Sequence, residues 1–124
     1  MLTRELDRTG VRIPIIGQGT WRMGERAANE RQEIEALRLG LDLGLTHIDT
    51  AEIYGNGRTE ELVGKAIAGR RHEVFLVSKV WPEHASYKGT IRACEQSLRR
   101  LRTDYLDLYL VHWWSDRYPI EETM

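Results

Sequence analysis

Four residues of this sequence could together move a proton, and each ends an apolar segment or lies in the loop after one. They are Asp49 at the end of THID, Tyr54 in the next loop, Lys79 at the end of EVFLVSK and His112 at the end of YLDLYLVH. A nearby ammonium favours the phenolate form of a tyrosine, which makes the phenol a stronger acid at neutral pH. A carboxylate can balance the ammonium, and an imidazole can hydrogen-bond a substrate oxygen. This set predicts a proton donor for the alkoxide that develops when a carbonyl is reduced.

Each of the four residues alone has an ordinary structural explanation. A carboxylate after a strand often belongs to a turn, and a lysine at a strand end often extends to water. A histidine or a loop tyrosine is often a packing residue. The prediction of a site therefore depends on convergence, because the carboxyl ends of parallel strands open at one edge of a sheet. In α/β barrels this edge carries the active site.

The pattern of the N-terminal third supplies the first elements that would position these residues. A small hairpin is predicted around Arg8-Thr9-Gly10, and GQGTW contains a short strand. A helix is predicted after the N-cap Asn29, with Gln32 as its reciprocal capping partner. An apolar stripe at helical spacing through Leu37 and Leu41 gives this helix its buried face.

Strands and helices continue to alternate along the rest of the chain. A second helix is predicted from about Thr59 to Ile67 and a third from near Ser86 to near Leu101, and PIEETM begins a fourth. The runs EVFLVSKV and YLDLYLVH are nearly continuous apolar strands, which is typical of a parallel sheet. Regular alternation predicts an α/β fold with right-handed crossovers.

Composition and spacing exclude several classes of function. The formal net charge of −1 gives no electrostatic footprint for nucleic acid or for an anionic membrane. No apolar run approaches the ~18 residues of a membrane span. Cys94 is the only cysteine and the N-terminus lacks a signal-peptide pattern, so a reducing, cytoplasmic location is predicted. No Cys/His cluster has zinc spacing, which predicts that the site holds no metal.

One glycine pair invites comparison with dinucleotide-binding proteins. Gly17 and Gly19 match the first two glycines of the Rossmann fingerprint, but Arg22 occupies the position of the third. No acidic residue closes a second strand at the distance that the fingerprint requires. The pair therefore predicts a glycine-framed strand rather than a Rossmann fold.

Three separated blocks of the sequence resemble the aldo-keto reductase family, in the same order along the chain. They are IDTAEIYGNGRTEELVGKAI, VFLVSKV and TDYLDLYLVHW. The resemblance covers nearly the whole chain and is strongest to bacterial reductases of small aldehydes such as methylglyoxal. It implies a (β/α)8 TIM barrel closed by an N-terminal hairpin, and NADPH-dependent reduction of aldehydes and ketones.

The resemblance also implies a role for individual residues. The catalytic tetrad would be Asp49, Tyr54, Lys79 and His112, with Tyr54 as the proton donor. Gly19, Thr20, Trp21 and Asp49 would border the nicotinamide of the cofactor. The substrate would contact residues with aromatic or hydrogen-bonding side chains, namely Trp21, Tyr54, Trp81, His112 and Trp113, with Trp114 also lining the pocket.

The length of the chain departs from the family pattern. A (β/α)8 barrel takes roughly 250 residues, whereas residues 1–124 supply a hairpin and about four βα units, a single partial barrel domain that resembles a truncated reductase. Most of the NADPH-binding residues are expected beyond the end of this chain. The open strands of a half barrel are expected to favour self-association. The alternative function is a non-catalytic interaction or regulatory subunit on the same scaffold.

Overall fold

The computed structural model describes all residues from Met1 to Met124, and it begins with a β-hairpin. Strand β1 (Thr3–Glu5) pairs antiparallel with β2 (Arg12–Pro14). The turn between them holds Gly10 in the left-handed region, with φ 74°, a conformation that glycine adopts without steric cost. The hairpin predicted from the sequence is therefore confirmed.

A four-stranded parallel sheet follows the hairpin. Its strands are β3 (Gln18–Gly19), β4 (His47–Asp49), β5 (Phe75–Val80) and β6 (Leu108–Val111), and they lie side by side in chain order. Asp49 lies opposite Val77 in the register of the sheet, and Lys79 lies opposite Leu110. All four strands run the same way, so their carboxyl ends share one edge.

One helix follows each strand of this sheet. They are α1 (Glu30–Asp42), α2 (Arg58–Ala66), α3 (Tyr87–Leu101) and the short α4 (Ile120–Thr123). This order confirms the predicted alternation of strands and helices. No helix combines the length and the apolar character that crossing a membrane requires.

The core lies between helices α1 to α3 and one face of the sheet. Its main cluster consists of Leu37, Leu41, Ile48, Leu62, Val63, Ala66, Ile67, Val74, Leu76 and Leu101. Successive side chains of a strand point to opposite faces, so the residues that alternate with the buried ones lie on the other side. We call the side of the sheet that packs against α1 to α3 the helix-covered face. The opposite side is the inner face, which carries His47, Asp49, Phe75, Val77, Lys79, Leu108 and Leu110.

The ends of the helices agree with the sequence prediction only in part. Ser86 caps α3, since its hydroxyl accepts a hydrogen bond from the Gly89 amide at 3.1 Å. The capping box predicted at Asn29 is wrong, because its side chain makes no capping hydrogen bond. A 3-10 turn over Ala27–Asn29 leads directly into α1, so Asn29 already has near-helical backbone angles and lacks the extended conformation of a capping residue.

Candidate active site

The carboxyl edge of the sheet brings together three of the predicted site residues. Asp49 ends β4, Lys79 lies one residue before the end of β5, and His112 directly follows β6. The His112 amide continues the ladder by donating to the Val80 carbonyl at 3.0 Å. Backbone pairing therefore fixes where each of these side chains starts.

Lys79 is held by an ion pair that uses all of its donors. Its Nζ donates to both carboxylate oxygens of Asp49, at 2.9 and 2.8 Å, and to the Thr50 carbonyl at 2.9 Å. The Lys79 side chain is only 13% exposed. A largely buried ammonium is stabilised when each of its hydrogens has an acceptor. These three hydrogen bonds therefore fix the Lys79 ammonium in position at the sheet edge.

Tyr54 reaches this ammonium from the loop after β4. The Lys79 Nζ lies 5.3 Å from the centre of the Tyr54 ring, within the range of a cation–π contact. No hydrogen bond joins the Tyr54 hydroxyl to Lys79 or to His112. Lys79 therefore meets the Tyr54 ring through a cation–π contact, and the hydroxyl keeps its hydrogen-bonding capacity.

The loop that presents Tyr54 depends on left-handed backbone. Gly55, Asn56 and Gly57 all have positive φ, and Gly57 has φ 91°. A Cβ added at Gly57 would also lie 2.8 Å from the Cδ of Arg100 on α3. The left-handed conformation favours glycine, and a side chain here would also force Arg100 to move. This turn sends the chain from Tyr54 directly into α2.

His112 faces Tyr54 edge to face, and its surroundings disfavour the charged form of its ring. The two ring centres are 5.6 Å apart, with planes at 88°. Burial, and next the charge of Lys79, hold the pKa of His112 below its usual value, because both disfavour the imidazolium. The Nδ1 atom is buried without a protein partner. A neutral imidazole can hydrogen-bond a substrate oxygen through its other nitrogen.

Two tryptophans continue the aromatic surface beyond His112. The ring of Trp81 lies 5.3 Å from that of His112 and 4.6 Å from that of Trp113. Trp113 lies 5.0 Å from His112, so the three rings touch one another. The rings of Trp81, His112 and Trp113 form an aromatic wall beside the ion pair, and Tyr54 packs against its His112 end.

The other predicted site residues differ in their exposure and in what their side chains contact. Gly19 lies opposite Asp49 in the register, and a Cβ there would meet nothing within 4 Å. Thr20 is fully buried, and its hydroxyl donates to the Asp49 carbonyl at 2.9 Å, so its side chain anchors the strand end. Trp21 is 71% exposed. Trp114 lines a cavity of about 110 Å³ together with Val111 and with Trp113, whose ring also packs on His112.

The sequence prediction missed one buried acid at this edge. Glu52 is 8% exposed and accepts a hydrogen bond from the Trp81 amide at 2.8 Å. The same oxygen lies 2.6 Å from the Nδ1 of His84. The available signal was an acid between Asp49 and Tyr54, directly after a buried strand, where a carboxylate needs a partner. No group of three or more His, Cys, Asp or Glu residues is arranged to hold a metal ion.

A family model described as "Aldo/keto reductase family" matches residues 15–124 of the chain. The chain is 57% identical over 114 residues to methylglyoxal reductase YeaE of Escherichia coli, a match that covers 92% of this chain and 40% of that protein. It is 44% identical to aldo-keto reductase YhdN of Bacillus subtilis, covering 93% of this chain and 39% of the relative. The chain thus spans about two fifths of the length of these relatives.

Solved structures give the same picture of the fold. An aldo/keto reductase from Klebsiella pneumoniae in complex with NADP and acetate has a TM-score of 0.88 at 59% identity, covering 91% of this chain and 40% of that one. The thermostable aldo-keto reductase Tm1743, bound to the inhibitor epalrestat, has a TM-score of 0.95 at 50% identity, covering 99% and 47%. These matches confirm the predicted fold class, the N-terminal part of a (β/α)8 barrel.

Proposed function

The chain belongs to the aldo-keto reductase family, and we propose that it carries the proton-delivery half of an NADPH-dependent reductase of small aldehydes and ketones. One observation carries the proposal. A lysine bound to both oxygens of Asp49 lies 5.3 Å from the ring of a tyrosine, and His112 packs edge-on against the same ring. A phenol, a cation and a neutral imidazole at one sheet edge suit the protonation of an alkoxide.

The proposed roles follow from the contacts of each residue. Tyr54 donates the proton, because its hydroxyl is not engaged by Lys79 or His112. Lys79 stabilises the phenolate that remains, since its ammonium lies beside the ring. Asp49 holds that ammonium in place through two hydrogen bonds. His112 orients the carbonyl oxygen as a neutral hydrogen-bonding partner.

The cofactor would supply the hydride when bound, and part of its surroundings is on this chain. Gly19 leaves open space next to Asp49, where a side chain would otherwise stand. Trp21 is exposed close behind it in the chain. We propose that Gly19, Thr20, Trp21 and Asp49 border the nicotinamide, with Thr20 acting through its backbone because its side chain is buried. The Klebsiella relatives were solved with NADP or NADPH.

A small carbonyl compound is the proposed substrate. YeaE is named a methylglyoxal reductase, and the aromatic wall of Trp81, His112 and Trp113 offers a compact apolar surface beside the proton donor. Trp21 and Tyr54 complete the set of proposed substrate contacts. The alternative, a non-catalytic subunit on the same scaffold, gives no reason for Lys79 and Asp49 to be paired beside a phenol.

Assaying NADPH oxidation in a chimaera tests this function. Residues 1–124 would replace the matching part of E. coli YeaE, and the chimaera would be compared with YeaE and with the 124-residue chain alone. We expect the chimaera to oxidise NADPH when methylglyoxal is added, at a rate within about tenfold of YeaE, since 57% of aligned positions are identical. A folded chimaera that binds NADPH but reduces no aldehyde or ketone would favour the non-catalytic alternative.

A further inference from the structure

Glu52 is a buried acid of the candidate site that the proton-delivery scheme does not use. It lies between Asp49 and Tyr54 in the chain and is 8% exposed. Burying a carboxylate is costly unless hydrogen bonds compensate. The residue therefore has to be explained by what its oxygens contact.

Those contacts all come from the neighbouring loop after β5. One carboxylate oxygen of Glu52 accepts from the Trp81 amide at 2.8 Å and lies 2.6 Å from the His84 Nδ1. A backbone bond joins the loop after β4 to the end of β5 itself, since the Glu52 amide donates to the Lys79 carbonyl at 3.4 Å. Pro82, which follows Trp81, has no backbone N–H to donate and is buried. Glu52 thus fixes the backbone at the point where the chain leaves β5.

The position of this backbone decides where the Trp81 ring stands. The Trp81 ring touches His112 at 5.3 Å and Trp113 at 4.6 Å between ring centres. Trp81 has its amide bonded to Glu52 and its ring packed on His112. A shift of the Trp81 backbone would therefore move the wall beside the proposed carbonyl position. Glu52 itself touches none of the proposed reacting groups.

We propose that Glu52 is a positioning residue that fixes the Trp81 wall and thereby keeps the pocket selective for small carbonyl compounds. This inference rests on the proposed function, because it assigns a role to one wall of that same pocket. His84 shares the carboxylate from the outer side, with 56% of its side chain exposed.

The first test measures the hydrogen bond between the Trp81 amide and Glu52, and it does not depend on catalysis. Hydrogen–deuterium exchange at the Trp81 amide is followed in the 124-residue chain and in the chimaera, using overlapping peptides. Glu52→Ala should accelerate this exchange about tenfold or more, since a hydrogen bond to a charged acceptor is lost. Glu52→Gln should stay close to the parent, because its amide oxygen can still accept. Glu83→Ala, a change at an exposed acid of the same turn, is the matched control. An unchanged rate in Glu52→Ala would overturn the inference.

The second test measures selectivity in the active chimaera. Glu52→Ala should raise the KM for methylglyoxal about tenfold with kcat within about twofold, because the wall binds substrate without moving the proton. Preference for methylglyoxal over a bulkier aldehyde such as benzaldehyde should fall, and Glu52→Gln should restore both. Equal losses with both aldehydes, or no change in KM, would show that Glu52 holds the loop without shaping the pocket. Failure of the proposed function itself would be visible separately, as an inactive chimaera before any substitution.

Discussion

On the helix-covered face of the sheet, Ile48, Leu76 and Val80 are at most 1% exposed and pack against helices. On the inner face of the same strands, Leu110 is 38% exposed and its register neighbour Lys79 carries a charge. The alternation of a strand sends neighbouring residues to opposite environments. Ser78 and Lys79 illustrate this, because one is fully buried against α2 and α3 while the other belongs to the candidate site.

An acid is paired with a cation on each side of the sheet, Glu60 with Arg100 in the helix layer and Asp49 with Lys79 on the inner face, and the two pairs differ in how far they are buried. Glu60 is fully buried; its two oxygens accept from Ser78 and from Arg100, both at 2.6 Å. The Asp49 side chain is 36% exposed, and its partner Lys79 stands beside a phenol. A closed pair leaves no group free to react, whereas a half-open pair next to Tyr54 and His112 can act on a ligand. Burial and neighbours, rather than the residue types, separate structural from chemical ion pairs.

Removing the cation of the inner-face pair should give the largest effect. In the chimaera, Lys79→Met should lower carbonyl reduction at least about hundredfold, because the phenol loses the charge that favours its phenolate. Rates measured across pH should also show a changed profile. Lys65→Met, which removes a lysine paired with Glu30 at the surface, should leave the rate nearly unchanged. Activity within about twofold of the parent would mean that the Lys79–Asp49 pair only holds the sheet edge together and takes no part in proton delivery.

Breaking the buried Glu60–Arg100 pair should lower the free energy of unfolding rather than the rate of carbonyl reduction. Glu60→Ala leaves Arg100 and Ser78 without their acceptor, and breaking a buried ion pair typically costs about 3–5 kcal/mol. Urea unfolding of the chimaera should show this loss. Glu61→Ala, at the exposed neighbouring acid, should change the free energy of unfolding by less than about 0.5 kcal/mol. A similar small loss in both variants would contradict the contrast between the two faces.

Two features should make the 124-residue chain associate with itself, the open edges of the sheet and the partly exposed apolar residues of its inner face, such as Leu110. The outer edges of β3 and β6 have no partner strand, and unpaired edges invite another chain. Sedimentation velocity should therefore show dimers or larger species whose share grows with concentration. Leu110→Lys should reduce this association. A sharp 14.4 kDa species at every concentration, with cooperative thermal unfolding, would show that the edges are protected.

His112 should give the smallest and most local effect, a dependence of stability on pH. Its pKa is lowered in the folded state, so the unfolded chain binds a proton more readily. The free energy of unfolding should therefore decrease as the pH falls below about 6.5, the usual value of an unfolded histidine. His112→Asn should remove part of this slope. An NMR titration of the ring that gave an ordinary or raised pKa would contradict the assignment.

The sequence predicted which residues meet at the carboxyl edge of the sheet better than it predicted the contacts that hold them there. Regular alternation of strands and helices places Asp49, Lys79 and His112 at one edge, and this follows from pattern alone. Glu52 escaped prediction because its partner Trp81 is in another loop, 29 residues away in the chain. The failed cap at Asn29 has a different, local cause, since the 3-10 turn over Ala27–Asn29 sets its backbone. The Glu52 case is the more general one. Local pattern carries no information on contacts that only tertiary structure creates.

The most direct test of the account is the removal of one oxygen atom, in Tyr54→Phe. This change keeps the ring that packs against Lys79 and His112 and removes only the proposed proton donor. In the chimaera, reduction of methylglyoxal should fall by about 10²–10⁴-fold, while the affinity for NADPH, measured by quenching of tryptophan fluorescence, stays within about twofold. Turnover close to that of the parent chimaera would contradict the claim that this sheet edge delivers a proton.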